Sequence, residues 1–261
     1  MPTVTHWIIG ASSGIGAALA QELAQRGQAV ALSARNAEAL QQVAQQLPPP
    51  IDQALAHQVL PLDVCRPDTI QQAQKQLLQH WPYIGRVLYL AGDYQPMPLA
   101  MLDLDATRRI LEINLLGAYH TLAAVLPQLL QQAPGAQIAL CASVAGYRGL
   151  PHSQPYAASK AGLINLAETL EAEHGDHLDI KLINPGFVDT RLTAKNSFAM
   201  PSCISPAQAA CAIADGLERR RFEIHFPKPF TFGMQLLRLI PHRLFRRIAR
   251  RLAVTSAPTD T

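Results

Sequence analysis

Tyr156 and Lys160, in the run YAASK, are the residues of this sequence whose types and spacing best fit a chemical step. The run stands at the start of a predicted helix, where a separation of four residues puts both side chains on one face. An ammonium group near a phenol favours the phenolate and so lowers a pKa that is ordinarily about 10. The pair therefore predicts a tyrosine that donates and recovers a proton, and its alternative is an exposed helical pair without function.

Ser143 lies thirteen residues before this tyrosine, directly after the apolar run QIALCAS. If that run is a strand, the hydroxyl emerges at the carboxyl end of a sheet, where ligands bind in open α/β folds. The alternative is an ordinary loop serine. Asn114, in LEINLLGA, lies in a long predicted helix, and its alternative role is local hydrogen bonding within that helix.

A glycine-rich run, GASSGIG, follows the first apolar segment and opens the first predicted helix. Backbone N–H groups and the helix dipole bind phosphate at such a junction, and absent side chains let the backbone approach a pyrophosphate. A tight strand-to-helix turn is the alternative, although the position favours a nucleotide. The predicted contacts in this run are Gly10, Ser12, Ser13, Gly14, Ile15 and Gly16.

Arg35 ends the second predicted strand, in the run Ser33-Ala34-Arg35, where an NAD enzyme usually carries an acid for the ribose hydroxyls. A guanidinium instead suits the 2′-phosphate of NADP(H), because its planar donors match a phosphate group. A solvated arginine at a strand end is the alternative. The sequence favours NADP(H) as cofactor.

The elements that must hold these residues alternate between short β-branched runs and longer segments of helical period. This pattern predicts a single-domain, doubly wound α/β sheet of the Rossmann type, with about seven parallel strands and helices on both faces. The strands are predicted near residues 7, 31, 60, 88, 140, 181 and 224, and the helices begin near Gly14, Asn36, Pro67, Asp103, Pro155 and Pro206. Residues 190–205 show neither periodicity and are a candidate substrate lid.

The composition, 49% hydrophobic and 16% charged over 261 residues, suits one large core. Fixed-period repeats are absent from the sequence, which argues against solenoids and propellers. The four cysteines show neither CxxC spacing nor histidine clustering, so we expect no metal site, no disulfide framework and a reducing compartment. The amino terminus does not have the form of a signal peptide, and we expect a cytoplasmic protein.

Together, the glycine run and the Asn114, Ser143, Tyr156 and Lys160 set resemble the classical short-chain dehydrogenase/reductase family, from about Thr5 to about Phe226. The resemblance implies that Tyr156 is the general acid/base and that Ser143 binds the substrate oxygen. It implies that Lys160 binds the nicotinamide ribose and that Asn114 holds a water in a proton relay.

The same resemblance implies further cofactor contacts. Asp63, in PLDV, would contact the adenine, and Thr190, in NPGFVDT, would bind the nicotinamide carboxamide. The other implied contacts are Val64, Ala91, Gly92, Tyr156, Pro185, Gly186 and Val188. The sequence departs from the family pattern at Ile9, usually Thr, and at Tyr89-Leu90, usually Asn-Asn, which puts local stability and cofactor geometry in question.

The carboxyl-terminal part departs from the family as well, and we divide the chain into a catalytic domain, 1–228, and an extension, 229–261. Residues 219–261 carry a net charge of +8, against −5 for residues 1–218. The extension predicts a basic amphipathic helix, broken by Pro241 from a turn at residues 235–240, with Phe245, Ile248, Ala249 and Leu252 on its apolar side. That side suits peripheral contact with a membrane, or packing on the body or on a second subunit.

The expected function is hydride transfer between NADP(H) and a hydrophobic carbonyl or alcohol, in the direction of reduction. Tyr147 and His152 lie near the site, and the residues expected to make it apolar are Leu150, Phe187, Phe198 and Met200. We expect a homodimer, through a small-residue face of the Tyr156 helix, and no nucleic-acid partner. The alternative is a nucleotide sensor or a membrane-recruited scaffold that keeps the fold without turnover.

Overall fold

The structure, a computed structural model, describes residues 3–132, 134–196 and 199–255, the last four without side chains. Seven parallel strands form one sheet in the order β3-β2-β1-β4-β5-β6-β7, which confirms the predicted doubly wound α/β fold. The strands are β1 (Thr5–Ile9), β2 (Ala29–Ser33), β3 (Gln58–Val59), β4 (Arg86–Tyr89), β5 (Gln137–Cys141), β6 (Asp179–Pro185) and β7 (Glu223–Phe226).

Helices cover both faces of this sheet. They are α1 (Gly14–Gln25), α2 (Ala37–Ala44), α3 (Pro67–His80), α4 (Leu104–Leu111), α5 (Gly117–Gln131), α6 (Tyr156–His174), α7 (Pro206–Leu217), α8 (Lys228–Leu239) and α9 (His242–Thr255). Apolar residues of α1 and α7 join one core cluster, and those of α3, α5 and α6 join the other. All residues of β1, β2 and β5 are buried, as expected for strands covered on both sides.

A π-helical segment, Glu112–Leu116, joins α4 to α5. Asp103 caps the start of the run, accepting from the backbone N–H groups of Asp105 and Ala106. By length and composition alone the run Leu104–Gln131 could cross a membrane. In the fold, however, its buried side chains belong to the core between α3 and α6, and it carries Asn114 to the site.

The carboxyl-terminal extension contains two helices. The sequence analysis predicted a turn at residues 235–240, whereas the structure shows these residues as the second half of α8, ending at Leu239. Tertiary contacts explain the difference, since Gln235 Nε2 donates to Glu223 Oε2 at 3.2 Å and Arg238 lies 3.6 Å from Glu168. The predicted break at Pro241 is confirmed, because α9 begins at His242.

Candidate active site

The glycine run forms a turn between β1 and α1 that only glycine can build. Gly10 has a φ of 103°, and a Cβ there would lie 2.5 Å from the backbone nitrogen of Ala91. A Cβ on Gly16 would lie 2.1 Å from the carbonyl oxygen of Gly10. Gly14 has a φ of 58°. Because side chains are excluded here, the backbone N–H groups at the start of α1 stay accessible to a phosphate.

A cavity of about 770 Å³ adjoins this turn and opens along the carboxyl ends of the strands. Its size and its glycine-lined wall fit a dinucleotide. The sequence-predicted contacts that line it are Gly10, Ser12, Ser13, Gly14, Ile15, Gly16, Arg35, Val64, Ala91, Gly92 and Thr190. Further lining residues, which the sequence analysis did not name as contacts, include Asn36, Leu62, Asp93, Arg109 and Ile113.

Arg35 follows β2 and is exposed at the rim of this cavity. The strand end that carries it is tied to the glycine turn, because the Ser33 carbonyl accepts from the N–H groups of Gly10 at 2.7 Å and Ala11 at 3.1 Å. The arginine is therefore placed beside the glycine turn by backbone hydrogen bonds.

Six predicted cofactor residues do not line this cavity: Asp63, Tyr156, Lys160, Pro185, Gly186 and Val188. The Asp63 carboxylate accepts a hydrogen bond from the Cys65 N–H at 3.0 Å. The contact between Asp63 and the adenine stays a prediction. Val188 is buried, and Gly186 is packed so closely that a Cβ would lie 2.8 Å from Phe230. Pro185 approaches the catalytic residues, its carbonyl oxygen lying 3.5 Å from Ser143 Oγ.

Tyr156 begins α6 and is partly buried, with its ring edge-to-face against Tyr94 at a centroid separation of 4.9 Å. Burial and the neighbouring Cys141 thiol raise the pKa of the phenol above its ordinary value, while a hydrogen bond with Ser143 acts to lower it. The direction is opposite to the lowering by Lys160 that the sequence analysis expected. In this geometry the phenol is a protonated donor at neutral pH.

Lys160 is 4% exposed, and its Nζ donates to the carbonyl oxygen of Cys141 at 2.7 Å. Burial lowers the pKa of this ammonium below its ordinary value. The Nζ lies 5.6 Å from the ring centroid of Tyr156. A Cβ on Gly92, which lines the cavity, would lie 3.7 Å from the same Nζ. The lysine ammonium thus lies near both the Tyr156 ring and Gly92 of the cavity wall.

Asn114 is fully buried in the π-helical segment, and its amide makes three hydrogen bonds. Its Oδ1 accepts from the Asp93 N–H at 2.7 Å, and its Nδ2 donates to the Asp93 carbonyl and to Ser159 Oγ, both at 3.0 Å. The side chain therefore joins the end of β4 to α6, on which Tyr156 and Lys160 lie.

Tyr89, the departure from the family pattern, supports this segment. Its hydroxyl donates to the carbonyl oxygen of Ile113 at 2.5 Å and is buried against Gly117, where a Cβ would lie 2.3 Å away. Burial raises the pKa of Tyr89 well above its ordinary value, which keeps the hydroxyl a donor. A tyrosine here thus provides a link between strand and helix.

Ser143 follows β5 and starts a short turn, its Oγ accepting from the Ala145 N–H at 3.1 Å. The two residues that follow this turn, Tyr147 and Arg148, make their contacts with the carboxyl-terminal part of the chain. Tyr147 is buried and donates its hydroxyl to Glu223, and Arg148 donates to the carbonyl oxygens of Leu237 and Ile240 at the end of α8. The turn that carries Ser143 is thereby attached to the carboxyl-terminal extension.

The sequence analysis missed an ion pair at Asp93, the residue before Tyr94, whose ring packs on Tyr156. Arg109 Nε donates to Asp93 Oδ2 at 2.8 Å, and Lys195 Nζ lies 3.5 Å from Oδ1 of the same carboxylate. Burial acts to raise the pKa of Asp93, but these partners hold it below the ordinary value. The signal available was the position of Asp93-Tyr94, directly after β4 and Gly92.

The expected substrate-side residues are only partly brought together. Phe187 packs on Phe230 at a centroid separation of 5.2 Å, and Met200 Sδ accepts from Asn196 at 3.3 Å. His152 has a φ of 56° and a buried Nε2 with no hydrogen-bond partner within the described part of the chain. Leu150 is half-buried in the same loop, and Phe198 lies outside the described residues.

Comparison with known proteins places this chain in a family. The family model for short chain dehydrogenase matches residues 5–200. An uncharacterized oxidoreductase of Myxococcus xanthus is 33% identical over 251 residues, covering 95% of this chain and 97% of that protein. The chain therefore belongs to the short-chain dehydrogenase family, and it has the fold of a nucleotide-binding oxidoreductase.

Other similar proteins carry more specific names. The 11-beta-hydroxysteroid dehydrogenase 1A of Arabidopsis thaliana is 33% identical over 199 residues, covering 74% of this chain and 54% of that protein. An alcohol dehydrogenase of Thermococcus sibiricus, solved with 5-hydroxy-NADP, is 26% identical with a TM-score of 0.77, over 86% of this chain and 96% of that chain. A Burkholderia phymatum short-chain dehydrogenase/reductase, solved with NAD, is 21% identical with a TM-score of 0.79, over 99% of this chain and 97% of that chain. At this identity the similarity supports the fold alone.

Proposed function

We propose that this chain is an NADP(H)-dependent oxidoreductase that reduces a hydrophobic ketone or aldehyde. The observation that carries the proposal is the meeting of Tyr156, Ser143 and Lys160 beside the glycine-walled cavity, with Asn114 tying β4 to α6. A bound NADPH supplies the hydride. Gly10, Gly14 and Gly16 would give its phosphates access to the backbone, and Thr190 and Lys160 would hold its nicotinamide end.

In this mechanism the substrate oxygen accepts hydrogen bonds from Ser143 and Tyr156, which orient the carbonyl carbon toward the cofactor. Tyr156 then donates its proton to the oxygen as negative charge develops. Its raised pKa suits this role, because the phenol stays protonated at neutral pH. Lys160, held by the Cys141 carbonyl, provides a positive charge close to the proton donor.

The choice of NADP(H) is supported by Arg35, exposed at the cavity rim where NAD enzymes usually carry an acid. The 5-hydroxy-NADP complex of the Thermococcus sibiricus relative agrees with it. The test of this cofactor choice is a calorimetric measurement of NADPH and NADH affinity for the wild-type protein and for two arginine variants. Arg35→Ala should weaken NADPH binding by roughly 10–100-fold, the value of lost charge-assisted hydrogen bonds, and leave NADH binding unchanged. Arg108→Ala, at a 79% exposed arginine, is the matched control.

Equal affinity for the two nucleotides in the wild-type protein would refute the NADP(H) assignment. Binding of neither nucleotide would favour the alternative, a scaffold that keeps the fold without turnover. NADPH oxidation is then followed across aliphatic, aromatic and steroidal carbonyls. The hydrophobic class is supported by the contact between the Phe187 and Phe230 rings and by the similarity to the 11-beta-hydroxysteroid dehydrogenase 1A of Arabidopsis thaliana.

We also propose that the chain forms a homodimer and that it lies in the cytoplasm. The cytoplasmic location is supported by the four cysteines, which are all free. The small-residue face of α6 is a poor dimer surface, because Ala157 and Ala167 are buried within the monomer. Of the three alanines that define this face, Ala161 alone is exposed. Better support comes from Leu116 at the end of the π-helical segment and Tyr119 of α5, which are 43% and 47% exposed. A molar mass of one chain by light scattering would refute the dimer.

A further inference from the structure

Helix α8 carries three large apolar side chains that point to solvent. Phe232, Leu236 and Leu239 are 53%, 63% and 79% exposed. Their spacing of four and then three residues puts them on one face of the helix. We call these three residues the apolar stripe. A contiguous exposed apolar surface of this kind commonly marks a site of contact with another molecule or with a membrane.

The opposite side of the helix pair is already attached to the body. Thr231 is fully buried, and Gln235 bonds to Glu223. Phe245 of α9 is 7% exposed beneath the Arg148 guanidinium, which lies 4.6 Å from its ring centroid. The extension is thus held in a fixed orientation. The sequence analysis left open what the apolar side of α9 contacts, and at Phe245 this side packs on the body. The apolar stripe faces outward as a result.

Charge distinguishes the partners that could cover this stripe. Residues 228–255 contain seven basic side chains and no acidic one, while the rest of the chain has a net charge of −4. The basic residues of α9 that are exposed in the structure are Arg243, Arg246, Arg247, Arg250 and Arg251. A second copy docked by a two-fold axis would bring the same cationic surface against itself, which is unfavourable. An anionic surface with an apolar interior satisfies both features.

We propose that the extension docks on an anionic lipid surface, with the apolar stripe inserted among the acyl chains and the α9 arginines at the lipid headgroups. Basic residues near such a surface each strengthen binding by about fivefold, and inserted apolar side chains add to this. The contact is peripheral, since neither α8 nor α9 is long enough to span a bilayer. The proposal does not depend on the substrate or on turnover.

The test is co-sedimentation of the full chain with vesicles of phosphatidylcholine alone and of phosphatidylcholine mixed with phosphatidylserine. We expect binding to the mixed vesicles only, lost at high salt. Leu236→Asp should weaken it by roughly tenfold or more. Ile51→Asp, at an apolar residue 72% exposed outside the extension, should bind as the wild type does. Circular dichroism melting verifies that both variants are folded, whether or not nucleotide binds.

Three results would overturn the proposal. The first is a folded wild-type protein that stays in the supernatant with phosphatidylserine vesicles. The second is equal binding to neutral vesicles without salt dependence. The third is a soluble oligomer, measured by light scattering, that Leu236→Asp dissociates, which would assign the stripe to a second copy of the chain.

Discussion

Replacing Tyr89 by Phe removes one hydroxyl from the centre of the molecule and leaves the ring in place. In the structure this hydroxyl donates to the Ile113 carbonyl at 2.5 Å, and the side chain is 1% exposed. The variant leaves a buried carbonyl without its partner, which costs about 1–3 kcal/mol in the free energy of unfolding. At this chain length that corresponds to a fall in melting temperature of roughly 2–10 °C.

The assay is thermal unfolding, with Tyr83→Phe as the matched control. The Tyr83 hydroxyl donates to the Thr3 carbonyl at 3.3 Å from a side chain that is 41% exposed, so its loss should change stability by no more than about 0.5 kcal/mol. Because Ile113 precedes Asn114, Tyr89→Phe should also lower kcat several-fold with NADPH affinity unchanged. Equal melting temperatures for the two variants would refute the argument that Tyr89 supports the π-helical segment.

Two further predictions concern pH and the extension. Because the raised pKa of Tyr156 keeps the donor protonated, the rate of carbonyl reduction should stay constant from pH about 6 to about 9. The rate of alcohol oxidation, which needs the phenolate, should rise with pH. A rate of reduction that halves near neutral pH would contradict this prediction. Arg148→Met should lower stability by about 1–3 kcal/mol and hasten proteolysis of the extension, since the guanidinium bonds to Leu237 and Ile240 and lies over Phe245. Arg108→Met is the surface control. Equal rates of proteolysis for the two variants would contradict the role of Arg148 in holding the extension on the body.

Most of the fold follows from the sequence because its signals are local. The seven strands are short apolar runs, and the glycine run marks the first strand-to-helix junction, with Gly10 and Gly16 where backbone contacts exclude a Cβ. Ser143 is brought to Tyr156 because it lies just after β5, and Asn114 is hydrogen-bonded to Asp93 in the segment after the neighbouring strand β4.

The parts that the sequence did not predict depend on contacts between distant residues. The π-helical segment requires Tyr89 against Gly117, and the second half of α8 is stabilised by Glu223 and Glu168. The direction of the Tyr156 pKa depends on burial, which a helical spacing does not reveal. These features come from tertiary packing, which overrides local propensity.

The measurement that tests the central claim most directly compares Tyr156→Phe with the wild-type protein in NADPH oxidation, using the best carbonyl found in the substrate panel. NADPH binding to both proteins is measured by calorimetry, which separates nucleotide affinity from chemistry. We predict unchanged NADPH affinity and a turnover reduced by about 10²–10⁴-fold, the contribution of a positioned general acid. Turnover by Tyr156→Phe within about tenfold of the wild-type rate would contradict the assignment of Tyr156 as the proton donor.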